Sequence, residues 1–418
     1  MRTPMGAVII VLIMVLLDIY VFSAIRSVTH SYPSRVKSII FFVYWFFAFI
    51  TLSGFLLFLF TGSEFLGRAV RSYVFACVLA VVFAQLIAAV FFLVDDTRRL
   101  IQWAASKTFF ANTEVAQMNT DRISRSMFLS WLGLAAGGTF FGSLIYGFSN
   151  KYNYTVKRIK LSFPNLPPAF KGMKIVQFSD VHSGSFTNKN AVIRGVDKIL
   201  AENGDLVIFS GDLVNDRTME MENYMDVFNK VKAPMGVYST LGNHDYGDYA
   251  RWPYHGVTKA QNLINIQNVH KELGWKLMMN ENVILEKDGQ QIALIGIENW
   301  SNKAHFPRYG DMKKAYAGTE NYPFKILISH DPSHWDAQVR PQYPDVDLTL
   351  SGHTHGMQFG VAIPGFKWSP VQYVYKEWDG LYEEGKQKLY VNPGFGFLGY
   401  PGRVGILAEI TVIELDNV

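Results

Sequence analysis

LTLSGHTH, residues 348–355, is an apolar run that stops at Gly352 and gives way to two histidines split by one threonine. Histidine is among the commonest metal ligands, and glycine lets a backbone turn where a side chain would clash. The same ending recurs upstream. MKIVQFSD (173–180) runs into Asp180 and then His182. DLVIFSGD (205–212) ends in Asp212, GVYSTLGNHD (236–245) in Asn243, His244 and Asp245, and FKILISHD (324–331) in His330. Each run reads as a buried strand closed by ligand-type residues. In α/β sheets, sites form beyond the carboxyl ends of strands, where loops bring distant side chains together. The chain holds ten histidines, and His182, His244, His330, His353 and His355 all fall in these endings.

The segments between the runs fit that frame. NAVIRGVDKILAEN (190–203) has a helical period closed by Gly204, and HGVTKAQNLINIQNVHKELG (255–274) reads as a second helix. VILEKDGQQIALIGIEN (283–299) reads as a hairpin turning at Asp288-Gly289, and KLYVNPGFG and GILAEITVIEL supply the last strands. Strands alternating with helices, then more hairpin-like strands, predict a layered α/β sandwich over residues 151–418.

The first 150 residues differ in texture. The chain is 49% hydrophobic and only 18% charged, and the apolar excess is concentrated here. Four stretches, about 5–25, 38–62, 72–94 and 127–149, each supply the ~20 apolar residues of a spanning helix. The sequence therefore predicts a membrane domain over 1–150, with the lipid bilayer as partner. Asp18 is the one charge in the first span and reads as a carboxylate facing neighbouring helices or the interface. Basic residues flanking the spans divide eight against seven, too evenly to orient the chain. DRISRSMFLSWLGLAAGG, leading into the fourth span, looks like a degraded twin-arginine export signal with Ser126 in place of the second arginine. It favours a multi-pass cell-membrane protein whose C-terminal domain is extracytoplasmic, the cytoplasmic face being the alternative. The net charge of +4 offers no clustered basic face, which argues against nucleic acid as a partner. Cys77 stands alone, so no disulfide forms within the chain.

Two carboxylates, one amide and four imidazoles exceed what one first-row metal takes, and suit two metals sharing a bridging carboxylate. Such ions sit ~3.5–4 Å apart and lower the pKa of the water between them. The resulting metal-bridging hydroxide attacks phosphorus in line, and a nearby imidazole protonates the leaving oxygen.

DVH, GD, GNHD, an isolated H and GHTH, in that order, resemble the calcineurin-like metallophosphoesterase superfamily over roughly Lys171 to Leu415. LGNHDYG, LMMNENVILEKDGQQIALIGIENW and NPGFGFLGYPGRVGILAEITVIEL look like its YkuE-like bacterial branch. The resemblance implies a four-layer α/β/β/α sandwich and two divalent or mixed-valence ions (Mn, Fe or Zn). Asp180, His182 and His355 would hold one ion, Asn243, His330 and His353 the other, and Asp212 would bridge them. His244 would be the acid at the leaving group, with Asp245 in support. Many relatives place an aspartate three residues after the bridging one to orient that histidine. Here Asn215 stands there, whose amide oxygen can still accept a hydrogen bond.

Other residues carry weaker signals. His255, His270, His305 and His334 read as surface or packing histidines, although His255 and Trp252 lie in an insert that could touch substrate. Arg403, in GYPGRVG, reads either as a phosphate-holding fork or as a surface arginine. The aromatics of FGVAIPGFKW and GFGFLGY read first as core and second as a lipid-facing lip. The function implied is a membrane-anchored phosphomonoesterase, phosphodiesterase or pyrophosphatase acting on a phosphorylated small molecule or lipid-linked substrate. Rival readings are a nuclease or nucleotide phosphodiesterase, and a catalytically weak membrane sensor or scaffold.

Overall fold

The computed structural model describes residues 4–60, 67–108 and 125–417. It separates into two compact units, residues 1–146 and 147–418.

The first unit is built on long helices: α1 (Pro4–Val28), α2 (Ser34–Phe60), α3 (Arg68–Thr108) and α4 (Arg125–Asn150), the last running on into the second unit. All four contain a segment long and apolar enough to cross a membrane. Leu16, Phe42, Phe49 and Val90 are largely exposed, as lipid-facing side chains must be. Asp18 is buried and faces its neighbours. It accepts from Gln85 Nε2 on α3 at 2.6 Å, and its carbonyl accepts from Tyr44 on α2 at 2.8 Å. A carboxylate so partnered explains its place in an apolar helix without an ion path. Gly137 lets α4 lie on α3, since a Cβ there would come within 2.4 Å of the Ala84 carbonyl. Helix α3 outruns the expected span because Asp95 pairs with Arg98 and Asp96 with Arg99, which carry it on as a polar helix. The basic stretch preceding α4, read as an export signal, lies mostly outside the described residues.

The second unit has two six-stranded sheets. One runs β1 (Tyr154–Ser162), β14 (Ala408–Asp416), β2 (Lys174–Phe178), β3 (Leu206–Phe209), β4 (Val237–Ser239), β5 (Lys276–Leu277). The other runs β12 (Gly380–Glu384), β13 (Gln387–Val391), β9 (Leu348–Ser351), β8 (Lys325–Ile328), β7 (Gln290–Gly296), β6 (Glu281–Lys287). A separate hairpin joins β10 (Val361–Ile363) to β11 (Phe366–Trp368).

Side-chain alternation explains the layering. Ile175, Leu206, Ile208, Ile326, Ile328, Leu348 and Leu350 share one core between the sheets. Their strand neighbours Val176, Phe178, Val207 and Phe209 pack outwards on α5 (Lys189–Ala201) and α6 (Lys259–Leu273), through Val192, Val196, Ile266 and Leu273. Leu327 faces the opposite outer layer, with Trp335 and Val339. Strands buried on both faces read as mostly apolar runs, as in β3 (LVIF), and the polar side chains that interrupt β2 and β9, Gln177, Thr349 and Ser351, are themselves buried. The result is the four-layer α/β/β/α sandwich that the resemblance implies. The hairpin of β6 and β7 turns at Asp288 and Gly289, both at positive φ, as their order predicts. Helix α5 closes differently from expectation. Asn203, not Gly204, takes the left-handed conformation, and Gly204 instead packs under Val176.

Strands β2, β3 and β4 are parallel to one another, as are β7, β8, β9 and β13. Their carboxyl ends therefore line one edge of each sheet. Gln177 ties the sheets together just below that edge, donating to Ser210 Oγ (3.1 Å) and to the Ser351 carbonyl (2.9 Å).

Candidate metal centre

The loops leaving β2, β3 and β9 turn sharply. Asp180, His182, Asp212, His353 and His355 all have φ between 47° and 73°. Non-glycine residues rarely adopt this left-handed region, and where they do it is commonly at functional sites. Here the strain turns each side chain back over its strand end. Gly352 is the steric key, because a Cβ there would meet Ser179 Oγ at 1.9 Å and Asp180 Oδ2 at 2.3 Å. The GHTH loop can thus lie directly on the Asp180 loop, and the His353 amide donates to Asp180 Oδ2 at 3.0 Å.

Six of the expected ligands form two groups, Asp180 with His182 and His355, and Asp212 with His330 and His353. Within each group the ligand atoms lie within 4.8 Å of one another. Asp212 Oδ2 sits between the groups, 3.1 Å from His330 Nε2 and 3.6 Å from His182 Nε2. Whether these residues fit a cation is tested by their unsatisfied atoms. Both ring nitrogens of His182, Nδ1 of His355 and Oδ1 of Asn243 are buried without a hydrogen-bond partner among the described residues, while Nε2 of His330 and of His355 face Asp212 and Asp180 at 3.1 and 3.2 Å. Orphaned buried polar atoms cost about 1–3 kcal/mol each. Several converging on two carboxylates fit cations, which would satisfy them together.

The electrostatics agree. Burial pushes the Asp180 carboxyl up, but the facing His355 outweighs it and holds the group well below the usual carboxylate range. For Asp212 the burial effect is likewise overcome, first by His330 and then by His244. Burial drives His182 and His353 down, so both are neutral imidazoles ready to ligate. Burial would also lower His330, but Asp212 reverses this and pushes it up to about 10. His330 so carries positive charge that the paired carboxylates demand. A cation supplies the same charge and displaces that proton.

Outer contacts fix ring orientation. His330 Nδ1 donates to the Ser210 carbonyl at 2.7 Å, which leaves Nε2 for the centre. His353 Nε2 lies 2.8 Å from Tyr375 Oη, and Tyr375 donates onward to Asp331 Oδ2 at 3.2 Å. That relay leaves Nδ1 of His353 facing the cluster. Asp245 does more than support His244. Its carboxylate accepts from the amides of Asp212, Leu213, Val214 and Gly242 at 2.8–3.2 Å. It thereby pins the GD loop to the GNHD loop. Burial and the Asp212 charge push it up to about 7, against the lowering effect of the Gly242 and Val214 amides. Asp331, Tyr375 and Tyr249, which accepts from Asn243 Nδ2 at 3.0 Å, are additions that the sequence did not single out. Asp331 follows His330 directly, but nothing in sequence pairs it with a tyrosine 44 residues on. Replacing that tyrosine, Tyr375→Phe, is expected to weaken metal affinity ~10–100-fold, read by manganese titration, because the His353 ring loses its anchor.

Two readings are corrected. His244 Nδ1 is held at 2.7 Å by the main-chain carbonyl of Asn215, not by its amide oxygen, which instead faces Ser185 Oγ. Arg403 is fully buried, and its guanidinium donates to the carbonyls of Pro393, Gly394, Gly396, Ile406 and Leu407. With its donors spent on main chain, it braces the Gly394 loop against Asp180 and cannot grip a phosphate. His270 and His334 are buried packing residues bonded to Ser239 and Ser329. His255, Trp252 and Arg217 line a cavity of about 490 Å³, and His305 is exposed against Phe306. In GFGFLGY, Phe395 and Phe397 are core, whereas Ile363 and Phe366 of FGVAIPGFKW are exposed.

Comparison with known proteins accounts for both units. Residues 173–357 match the calcineurin-like phosphoesterase family, and residues 1–151 match a family described as the transmembrane domain of a calcineurin-like phosphoesterase. An uncharacterized metallophosphoesterase of Campylobacter jejuni is 29% identical over 66% of this chain and 67% of its own length. The metallophosphoesterase YkuE of Bacillus subtilis is 28% identical over 71% of this chain and 99% of its own. A zebrafish transmembrane protein with a metallophosphoesterase domain is 29% identical over 62% of this chain, and the match spans only 56% of that relative.

Proposed function

Because this chain belongs to the calcineurin-like phosphoesterases and carries their transmembrane domain, we propose that it is a membrane-anchored, two-metal phosphoester hydrolase. The convergence of orphaned imidazole nitrogens and Asn243 Oδ1 on two buried carboxylates carries the reading. Asp180, His182 and His355 would hold one cation, Asn243, His330 and His353 the other, and Asp212 would be shared. Two such cations supply an activated water and offset charge on the phosphoryl oxygens. The chain's own residues do the rest. Asp245 and Gly352 hold the loops in register, and the Tyr375–Asp331 relay fixes the tautomer of His353. His244, anchored through Nδ1, presents Nε2 to the leaving oxygen as its proton source. The export-like stretch before α4 supports an extracytoplasmic catalytic unit.

Metal removal tests the reading. Full-length protein in detergent, reloaded with Mn²⁺ after chelation, is expected to bind two ions per chain and to hydrolyse bis(p-nitrophenyl) phosphate. EDTA dialysis should abolish turnover, and Mn²⁺, Fe²⁺ or Zn²⁺ should restore it. No metal uptake and no turnover with any of the three would overturn the assignment.

A further inference from the structure

The β10–β11 hairpin belongs to neither the core nor the metal centre. Its register pairs Val361 with Trp368, Ala362 with Lys367 and Ile363 with Phe366. Cross-strand partners share a face and neighbours along a strand alternate. Val361, Ile363, Phe366 and Trp368 therefore form one face, and Ala362 and Lys367 the other. Such an apolar face ordinarily packs inwards, yet here Ile363 is 59% exposed and Phe366 55%. Met357, Tyr373 and Val374, beside its two roots, are also more than half exposed. No charged residue occurs from Gly356 to Phe366. Lys367 is occupied on the other face, donating to the Asp379 carbonyl at 2.8 Å. Single exposed apolar residues are ordinary, but a continuous apolar face marks an interaction surface.

Both roots of the hairpin are the rim of the metal centre. It leaves the GHTH loop just after His355 and returns through Ser369, whose Oγ donates to the Gly356 carbonyl at 2.9 Å, to Tyr375. Within the same unit its base is also tied to the residues that end α4. The Gly360 amide donates to the Val404 carbonyl (2.9 Å) and the adjacent Arg403 amide to the Gly147 carbonyl (3.0 Å). Only Lys151, Tyr152 and Asn153 separate α4 from β1, a reach of roughly 10–14 Å at ~3.3–3.6 Å per residue.

We propose that the apolar face of β10–β11 seats in the interfacial layer of the bilayer spanned by the chain's own helices. This holds the rim of the metal centre at the lipid surface and selects the phosphoester of an amphiphile as substrate. The short tether favours lipid over a soluble partner, because it keeps this unit at a lipid concentration that no free protein matches. Trp368 and Tyr373 suit the headgroup level, where aromatic rings with a polar edge collect. The substrate half rests on the hydrolase reading, and the seating half does not.

The test uses full-length protein in phosphatidylcholine nanodiscs, with Ile363→Cys or Ala362→Cys introduced into a Cys77→Ser background and labelled with an environment-sensitive fluorophore. At residue 363 the emission should shift to the blue and be quenched by shallow doxyl lipids, and at residue 362 it should stay water-like. Water-like, unquenched emission at 363 overturns the proposal. A dry but unquenched label that cross-links between copies overturns it too, in favour of a second copy of the chain. In vesicles, Ile363→Ser with Phe366→Ser should lower kcat/KM for hexadecyl p-nitrophenyl phosphate at least tenfold, and leave soluble bis(p-nitrophenyl) phosphate unchanged. Equal effects on the two substrates refute the substrate half. Should the native chain hydrolyse neither, the hydrolase reading falls, and the quenching result still decides the seating.

Discussion

Asp212→Asn is expected to lower kcat for bis(p-nitrophenyl) phosphate by on the order of 10³-fold or more, with bound metal falling from two ions to one or fewer. The size of the effect follows from position. Asp212 Oδ2 lies within 3.1 Å of a nitrogen of one ligand group and 3.6 Å of a nitrogen of the other, so one charge serves both sites. The near-isosteric amide keeps the 2.8 Å bond that Oδ1 accepts from the His244 amide, so the GNHD loop should stay in place. It removes the charge that holds His330 protonated and would draw in a cation. Metal analysis with activity separates the outcomes, and a circular dichroism spectrum like the parent's excludes misfolding. Native turnover with a full metal complement would refute the shared-carboxylate role. If the variant lost turnover yet kept its cellular role, the chain would be a scaffold instead.

The candidate ligands that the fold brings together were legible in sequence because their pattern is local. A buried strand reads as a mostly apolar run, and an aspartate or histidine directly after it lies at the strand's carboxyl end. What remained hidden depends on contacts between segments far apart in the chain. Asp331 and Tyr375 meet across 44 residues through a loop whose path sequence does not specify. Arg403 misled because an arginine in a glycine-rich loop has the composition of a phosphate grip. Only the fold shows its donors spent on five carbonyls. The membrane helices were plain from composition, whereas the extension of α3 was not, since it rests on charge pairs rather than on hydropathy. The β10–β11 face was the most equivocal stretch. The same alternation of Val361, Ile363, Phe366 and Trp368 fits a strand buried in the core or one facing lipid, and only solvent exposure separates the two.

His244→Asn should show a loss that depends on the leaving group. With an alkyl phosphodiester, where a strongly basic alkoxide must depart, kcat is expected to fall ~10²–10⁴-fold, the usual contribution of a positioned general acid. With a p-nitrophenyl ester the departing oxygen is a weak base that needs little protonation, so the loss should be much smaller. Metal content should not change, because His244 lies outside both ligand groups. The ring is oriented by the Asn215 carbonyl at 2.7 Å, a neutral acceptor that any residue at 215 supplies. Asn215→Ala should therefore keep kcat within a few-fold, since the side chain it removes faces Ser185. An equal loss on both esters would show that His244 positions substrate and donates no proton.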